Sequence, residues 1–135
     1  MKKSSDKWNT ALPSIVIDTK PIHDAIQMGT KHDQDKVRLE LLPIESLEEV
    51  AKVLTYGTNK YQPYNWTKGF KFTRLIGACM RHLFAWTRGE DKDPETGLSH
   101  LAHAACCLLF LIWMQKFRPN LDDRFKSQQE VNKES

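Results

Sequence analysis

Residues 101 to 114, LAHAACCLLFLIWM, are apolar around nearly the whole helical circumference, which an exposed helix does not tolerate. The stretch predicts a helix near 98–117 at the centre of a helical core. The preceding segment, 72–88, carries an apolar stripe through Leu75, Ala78, Cys79, Leu83 and Trp86, and predicts a helix packed antiparallel on the first across an acidic turn. The few polar residues on these two segments then need a reason. His100 and His103 are spaced i, i+3 and share a face. With a rise of ~1.5 Å per residue, His82 on the partner helix falls at a similar depth to His103. The turn adds Glu90, Asp91, Asp93 and Glu95, so imidazoles and carboxylates gather at one end of a helix pair, a common way to build a site in a helical bundle. Asp93-Pro94-Glu95 also reads as a capped helical start.

A chain of 135 residues with 40% hydrophobic content suits one core and not two. The formal charge of +3 is small, and Lys and Arg are spread among nearly as many acids, so no nucleic-acid partner is expected. Cys79, Cys106 and Cys107 all fall on apolar helical segments and read as reduced, buried thiols, which points to the cytoplasm. The start, MKKSSDKWNT, lacks an apolar run, so no signal peptide is expected. The apolar run from Ala104 to Met114 is shorter than the ~20 residues a membrane span requires. Residues 1–12 read as a flexible arm, 13–118 as one all-α domain and 119–135 as a polar tail after Pro119. Ser14–Asp18 suits a short extended lead-in, and Pro21–Met28 a short helix ended by Gly29.

Three further stretches bear on a ligand. Lys31, Lys36 and Arg38, with Asp33 between them, form a charged segment whose cations suit phosphates, although a solvated loop reads the same from composition. Pro43 suits the first turn of a helix over 44–56 that Gly57 stops, with Leu47, Val50, Ala51 and Leu54 facing the core. At ~100° per residue, Glu48 falls at the edge of that stripe and is the carboxylate expected to reach an internal site. A surface pair with Lys52 is the competing reading. The loop GTNKYQPYNWTKGFK offers Tyr61, Tyr64 and Trp66 for stacking on a base and Asn65 for its edge, or else satellite core. Arg74, Arg81 and Arg88 recur every seven residues, a spacing that usually marks a solvated face, although Arg81, beside His82, suits anionic substrate or the acidic turn.

With KHDQDKVRLELLP, LTYGTNKYQPYNWTKG and RHLFAWTRGEDKDPETGLSHLAHAACC in view, the chain resembles the bacteriophage-type dATP/dGTP diphosphohydrolase N-terminal-domain family. That family looks related to the MazG-like all-α nucleotide pyrophosphohydrolases. The resemblance implies metal-dependent cleavage of a purine deoxynucleoside triphosphate to monophosphate and pyrophosphate, with Mg²⁺ or Mn²⁺ as cofactor. A homodimer or homotetramer in a bacterial host's cytoplasm is expected with it. For a hydrolase of this kind, His82, His100 and His103 are the expected catalytic residues, binding phosphate or orienting water if they hold no metal, and Glu48, Glu90, Asp91 and Asp93 the expected metal ligands. Lys31, Asp33, Lys36, Arg38, Tyr61, Asn65, Trp66 and Arg81 bind substrate. The chain departs from the family pattern in two places. Asp35 and Val37 stand where the family favours Gly and Pro, and His100-x-x-His103 stands where MazG-like enzymes carry a carboxylate pair. Imidazole suits Zn, Mn or Fe better than Mg²⁺. A protein that binds a nucleotide or cyclic dinucleotide without cutting it, such as a phage sponge for a defence signal, is the alternative.

Overall fold

The computed structural model describes residues 26–126 and 133–134, and its α-helices are α1, Ile44–Gly57; α2, Phe72–Thr87; and α3, His100–Phe117. Single 3-10 turns occur at Leu39–Leu41, Asn65–Lys68 and Pro119–Leu121. No strand occurs among the described residues, and a lone antiparallel bridge joins Lys92 to Ser99. The chain is therefore all-α, as its periodicity predicts.

Two units divide at Arg38. In the first, residues 26–38 are exposed; Lys31 pairs with Asp33 at 3.5 Å, and the Lys36 N–H donates to the Asp33 carbonyl at 3.0 Å. Ile26–Met28 is not helical, contrary to expectation. The rest of that expected helix, the arm 1–12 and Ser14–Asp18 lie outside the described residues. The second unit, from Leu39 onward, contains all three helices.

The reason α3 is apolar all round is that it packs on two helices at once. Against α2, Ala104, Cys107 and Met114 meet Phe72, Leu75 and Cys79. Against α1, Ala102 and Cys106 meet Val50. The α2 contacts run in opposite directions along the two helices: the Cys79 thiol reaches the Ala104 carbonyl at 3.7 Å, and the Phe70 N–H reaches the Met114 sulfur at 3.3 Å. By length and hydropathy α3 would also pass for a membrane span. Here it is the helix on which both others pack. Leu101, Leu108, Leu109 and Ile112 stay exposed in the single chain.

Two stripes differ from expectation. On α1 the face turned inward carries Val50 and Val53, while Ala51 and Leu54 are exposed and Leu47 is 40% exposed. Glu48 therefore lies outside, and Lys52 pairs with Glu49 in place of Glu48. On α2, Leu83 and Trp86 are exposed, whereas Phe72, Leu75 and Cys79 are buried. The cause is length: α3 begins at His100, opposite His82, and beyond that level α2 has only the turn to pack on.

The chain end does more than the expected polar tail. After Pro119, Leu121 packs on the α2–α3 core, and the Asp123 carboxylate accepts the Thr73 N–H at 2.9 Å and the Thr73 hydroxyl at 2.6 Å. It thereby satisfies an otherwise unpaired donor in the first turn of α2, whose preceding residue, Lys71, supplies no side-chain cap. Gly69, at φ +87°, lets the chain pass close to Leu121, where a Cβ would sit 2.3 Å from the leucine methyl.

Candidate functional site

The turn from Glu90 to Ser99 brings the candidate residues together, and local chemistry fixes its shape. Asp93 closes it with its backbone, accepting from Gly97 at 2.7 Å and donating to Leu98 at 2.8 Å. Its Oδ1 accepts the Glu95 N–H at 2.8 Å, an Asx turn. Gly97 supplies the left-handed residue, at φ +70°, that the closure requires. The helical start lies later than Asp93: Ser99 caps α3, its hydroxyl accepting the Ala102 N–H at 3.2 Å. The Asp91 carbonyl accepts the His100 N–H at 3.0 Å, while its side chain is exposed.

This loop and the two helices enclose three imidazoles and one carboxylate. His82 Nδ1 lies 2.9 Å from His100 Nδ1, and His100 Nε2 lies 2.7 Å from Glu90 Oε1. The His82 ring stacks on His103, with centroids 4.6 Å apart and planes at 9°. His103 Nε2 meets the Thr96 hydroxyl at 2.8 Å. Asp93 Oδ2 lies 4.0 Å from His82 Nδ1 and 3.9 Å from His103 Nε2. That is too long for hydrogen bonds. One ligand atom from each of His82, Asp93 and His100 falls within 4.8 Å of the others, a grouping able to hold a metal ion.

Protonation follows from these contacts. A carboxylate only accepts, so His100 donates from Nε2 to Glu90. Its Nδ1 is then a lone pair in the neutral ring, and His82 donates to it from Nδ1. Burial pushes His82 below the usual imidazole range, with His103 adding to the effect and Asp93 opposing it. Burial likewise lowers His103, again against Asp93. Neutral rings carry the lone pairs that metal binding or proton acceptance needs.

A cavity of about 590 Å³ adjoins this cluster, within the range of ligand pockets. Its wall includes His103 and Thr96 on one side and Tyr61, Asn65 and Trp66 on the other. The aromatic loop and the histidine end of the helix pair therefore share one space. Trp66 is not a free stacking platform as expected: it stacks on Phe110 at 5.2 Å and meets Trp113 edge-on at 5.0 Å. The loop folds back on α3 and spends much of that ring on the core. Tyr61 and Tyr64 remain 59% and 74% exposed. Tyr64, at φ 62°, holds a left-handed conformation that bulky residues rarely adopt, and it too lines the cavity.

Two other expected site residues, both on the helices, lie apart from this cluster. Glu48 is exposed, in a shallow depression with Ala51, Lys52 and Thr55. Arg81 is exposed, and its guanidinium lies along Gly77 of its own helix. Lys31, Asp33, Lys36 and Arg38 belong to the other unit, where all are exposed. Among the polar groups on the cavity wall that sequence reasoning missed are Lys60 and Thr96. Lys60 pairs with Glu95 at 2.7 Å and so ties the aromatic loop to the acidic turn. The signal for it was weak, since a lysine in a mixed loop usually faces solvent. The three cysteines are free and buried, with burial pushing Cys106 up to about 12 and Cys107 to about 11. Such thiols stay protonated and inert.

Residues 27–124 match the family model described as dATP/dGTP diphosphohydrolase, N-terminal. A Salmonella phage PMBT28 protein named dATP/dGTP diphosphohydrolase is 46% identical over 96 residues, 71% of this chain. The chain spans about a third, 33%, of that relative's length. No solved structure matches the chain significantly.

Proposed function

Because the chain belongs to the dATP/dGTP diphosphohydrolase N-terminal family, we propose that it hydrolyses a purine deoxynucleoside triphosphate to the monophosphate and pyrophosphate, using a divalent metal. The observation that carries this reading is the shared space of base-sized aromatic cavity and histidine–aspartate cluster. The base lies among Tyr61, Tyr64 and Asn65, where π-faces and one amide suit it. Lys60, on the same wall, is the cation nearest to hand for a phosphate once Glu95 yields it.

The donor set fits a metal. Two ligands at ~2.1 Å from one ion lie at most ~4.2 Å apart; the 2.9 Å and 4.0 Å separations at His82 Nδ1 fall within that limit, and with all three atoms inside 4.8 Å a small side-chain movement would close the set. His82, His100 and Asp93 would hold the ion, which supplies charge stabilisation and a more acidic water. Asp93 fixes the loop through Oδ1 and turns Oδ2 inward. Glu90 orients His100, and Asp91 anchors the same helix start through its carbonyl. His103 is the neutral ring on the cavity wall; with its Nε2–H given to the Thr96 hydroxyl, its Nδ1 lone pair takes a proton from the attacking water.

The deciding experiment incubates the protein with dATP and dGTP across several divalent ions and separates the products. Monophosphate and pyrophosphate are expected. Nucleotide recovered intact from a tight complex, with every ion, overturns hydrolysis in favour of the binding-protein reading.

A further inference from the structure

The cluster at the end of the α2–α3 pair is chemically odd for the ion expected of it. Mg²⁺ takes oxygen ligands and keeps much of its water. Here two of three converging ligand atoms are imidazole nitrogens, and imidazole selects zinc, iron, copper or nickel. A hydrogen-bonded histidine pair in a filled interior would account for the 2.9 Å contact by itself. It does not account for Asp93. That carboxylate is only 16% exposed, and its Oδ2 stops 4.0 Å from His82 Nδ1, beyond hydrogen bonding and within reach of a shared ion, with a ring nitrogen of His100 in the same 4.8 Å group.

Glu90 supplies the second argument. Its carboxylate is half exposed and takes the Nε2–H of His100, whose side chain is 6% exposed. In the neutral ring that bond leaves His100 with a bare Nδ1, which faces His82 Nδ1 at 2.9 Å. Histidines that ligate metals are held in this way, with the far ring nitrogen bound by a carboxylate that fixes the tautomer and raises ligand basicity. Entry of the ion then requires one change: the proton on His82 Nδ1 moves to Nε2, so that the ring stays neutral and Nδ1 offers the second lone pair.

We propose that His82, His100 and Asp93 bind one first-row transition-metal ion of the Zn²⁺, Fe²⁺ or Co²⁺ class in preference to Mg²⁺, with Glu90 as the positioning residue for His100. The proposal concerns the resting protein and is tested without nucleotide, so its failure and the failure of the hydrolase reading are separate results.

The full chain is stripped with chelator and titrated with Zn²⁺, Co²⁺ and Mg²⁺ by calorimetry, with Co²⁺ absorption as a spectroscopic report of nitrogen coordination. One Zn²⁺ or Co²⁺ per chain is expected, retained against a large excess of Mg²⁺. His100→Gln and His82→Gln lose the cobalt bands while keeping helical circular dichroism. Glu90→Ala weakens binding about 10- to 100-fold. Glu90→Gln, whose amide oxygen still accepts the Nε2–H, recovers part of it. No binding by the wild-type chain, or displacement by equimolar Mg²⁺, overturns the metal assignment whatever the variants do. Wild-type affinity in Glu90→Ala overturns the positioning role.

Discussion

The two ends of the α2–α3 pair are built from the same helices and bury opposite chemistry. At one end Met114 is fully buried in a cluster with Phe72, and the Phe70 N–H reaches its sulfur. At the other end His82, His100 and His103 crowd together with Asp93 about 4 Å from ring nitrogens of two of them. The first arrangement stabilises by removing apolar surface from water, at about 25 cal/mol per Å². The second stabilises little, since buried polar groups roughly recover in hydrogen bonds what they lose in hydration. A cluster that contributes so little to folding and still gathers three imidazoles in one place is where a functional role belongs.

That contrast is open to attack from either end. Asp93→Asn keeps an oxygen to accept the Glu95 N–H and removes the charge that faces His82 and His103. It should lower nucleotide turnover by about 10²-fold or more while leaving the melting curve nearly unchanged. Equal loss of stability and activity would make Asp93 a loop residue and nothing else.

Met114→Ala should do the reverse. It empties the best-buried position of the core and should cost about 2–5 kcal/mol of stability, measured by urea unfolding. Zn²⁺ or Co²⁺ affinity of the protein that remains folded should hold. Selective loss of metal binding here would merge the two ends into one cooperative unit.

Tyr61→Ala tests the cavity between them. The ring is largely exposed and lines the space beside Asn65, so its loss should weaken purine nucleotide binding by about 1–3 kcal/mol with little effect on folding. Unchanged affinity would move the base elsewhere.

The polar end should also show itself in pH. Burial holds His82 and His103 below the ordinary imidazole value, so in acid the unfolded chain binds protons that the folded one refuses. Stability of the metal-free protein is then complete above about pH 6.5 and falls as the pH drops from there through the lower folded values. The denaturation midpoint in chelator should decline across that window, and less so in His103→Gln. An identical decline in the variant would place the effect on other groups. Smallest of all should be Asp123→Asn at the far end, which weakens the cap on Thr73 and trims the melting temperature without touching metal or nucleotide.

Periodicity and residue type by themselves determined the three helices and the central place of α3. A segment apolar on every side has one stable position in a small all-α core, and the stops at Gly57 and Pro119 are local chemistry. The gathering of His82, His100, His103 and Asp93 was legible for the same reason, because helical rise and an antiparallel turn fix their depth. What only the tertiary structure decided is which atom faces which. Rotation of α1 about its axis put Glu48 outside and Val50 and Val53 inside. The fold-back of the aromatic loop committed Trp66 to Phe110 and left the tyrosines at the cavity. The turn set Glu90 on the outer nitrogen of His100 and Asp93 opposite the inner ones. These choices rest on packing between segments distant in sequence and on a few tenths of an ångström in side-chain placement, and neither is written in the spacing of residues along the chain.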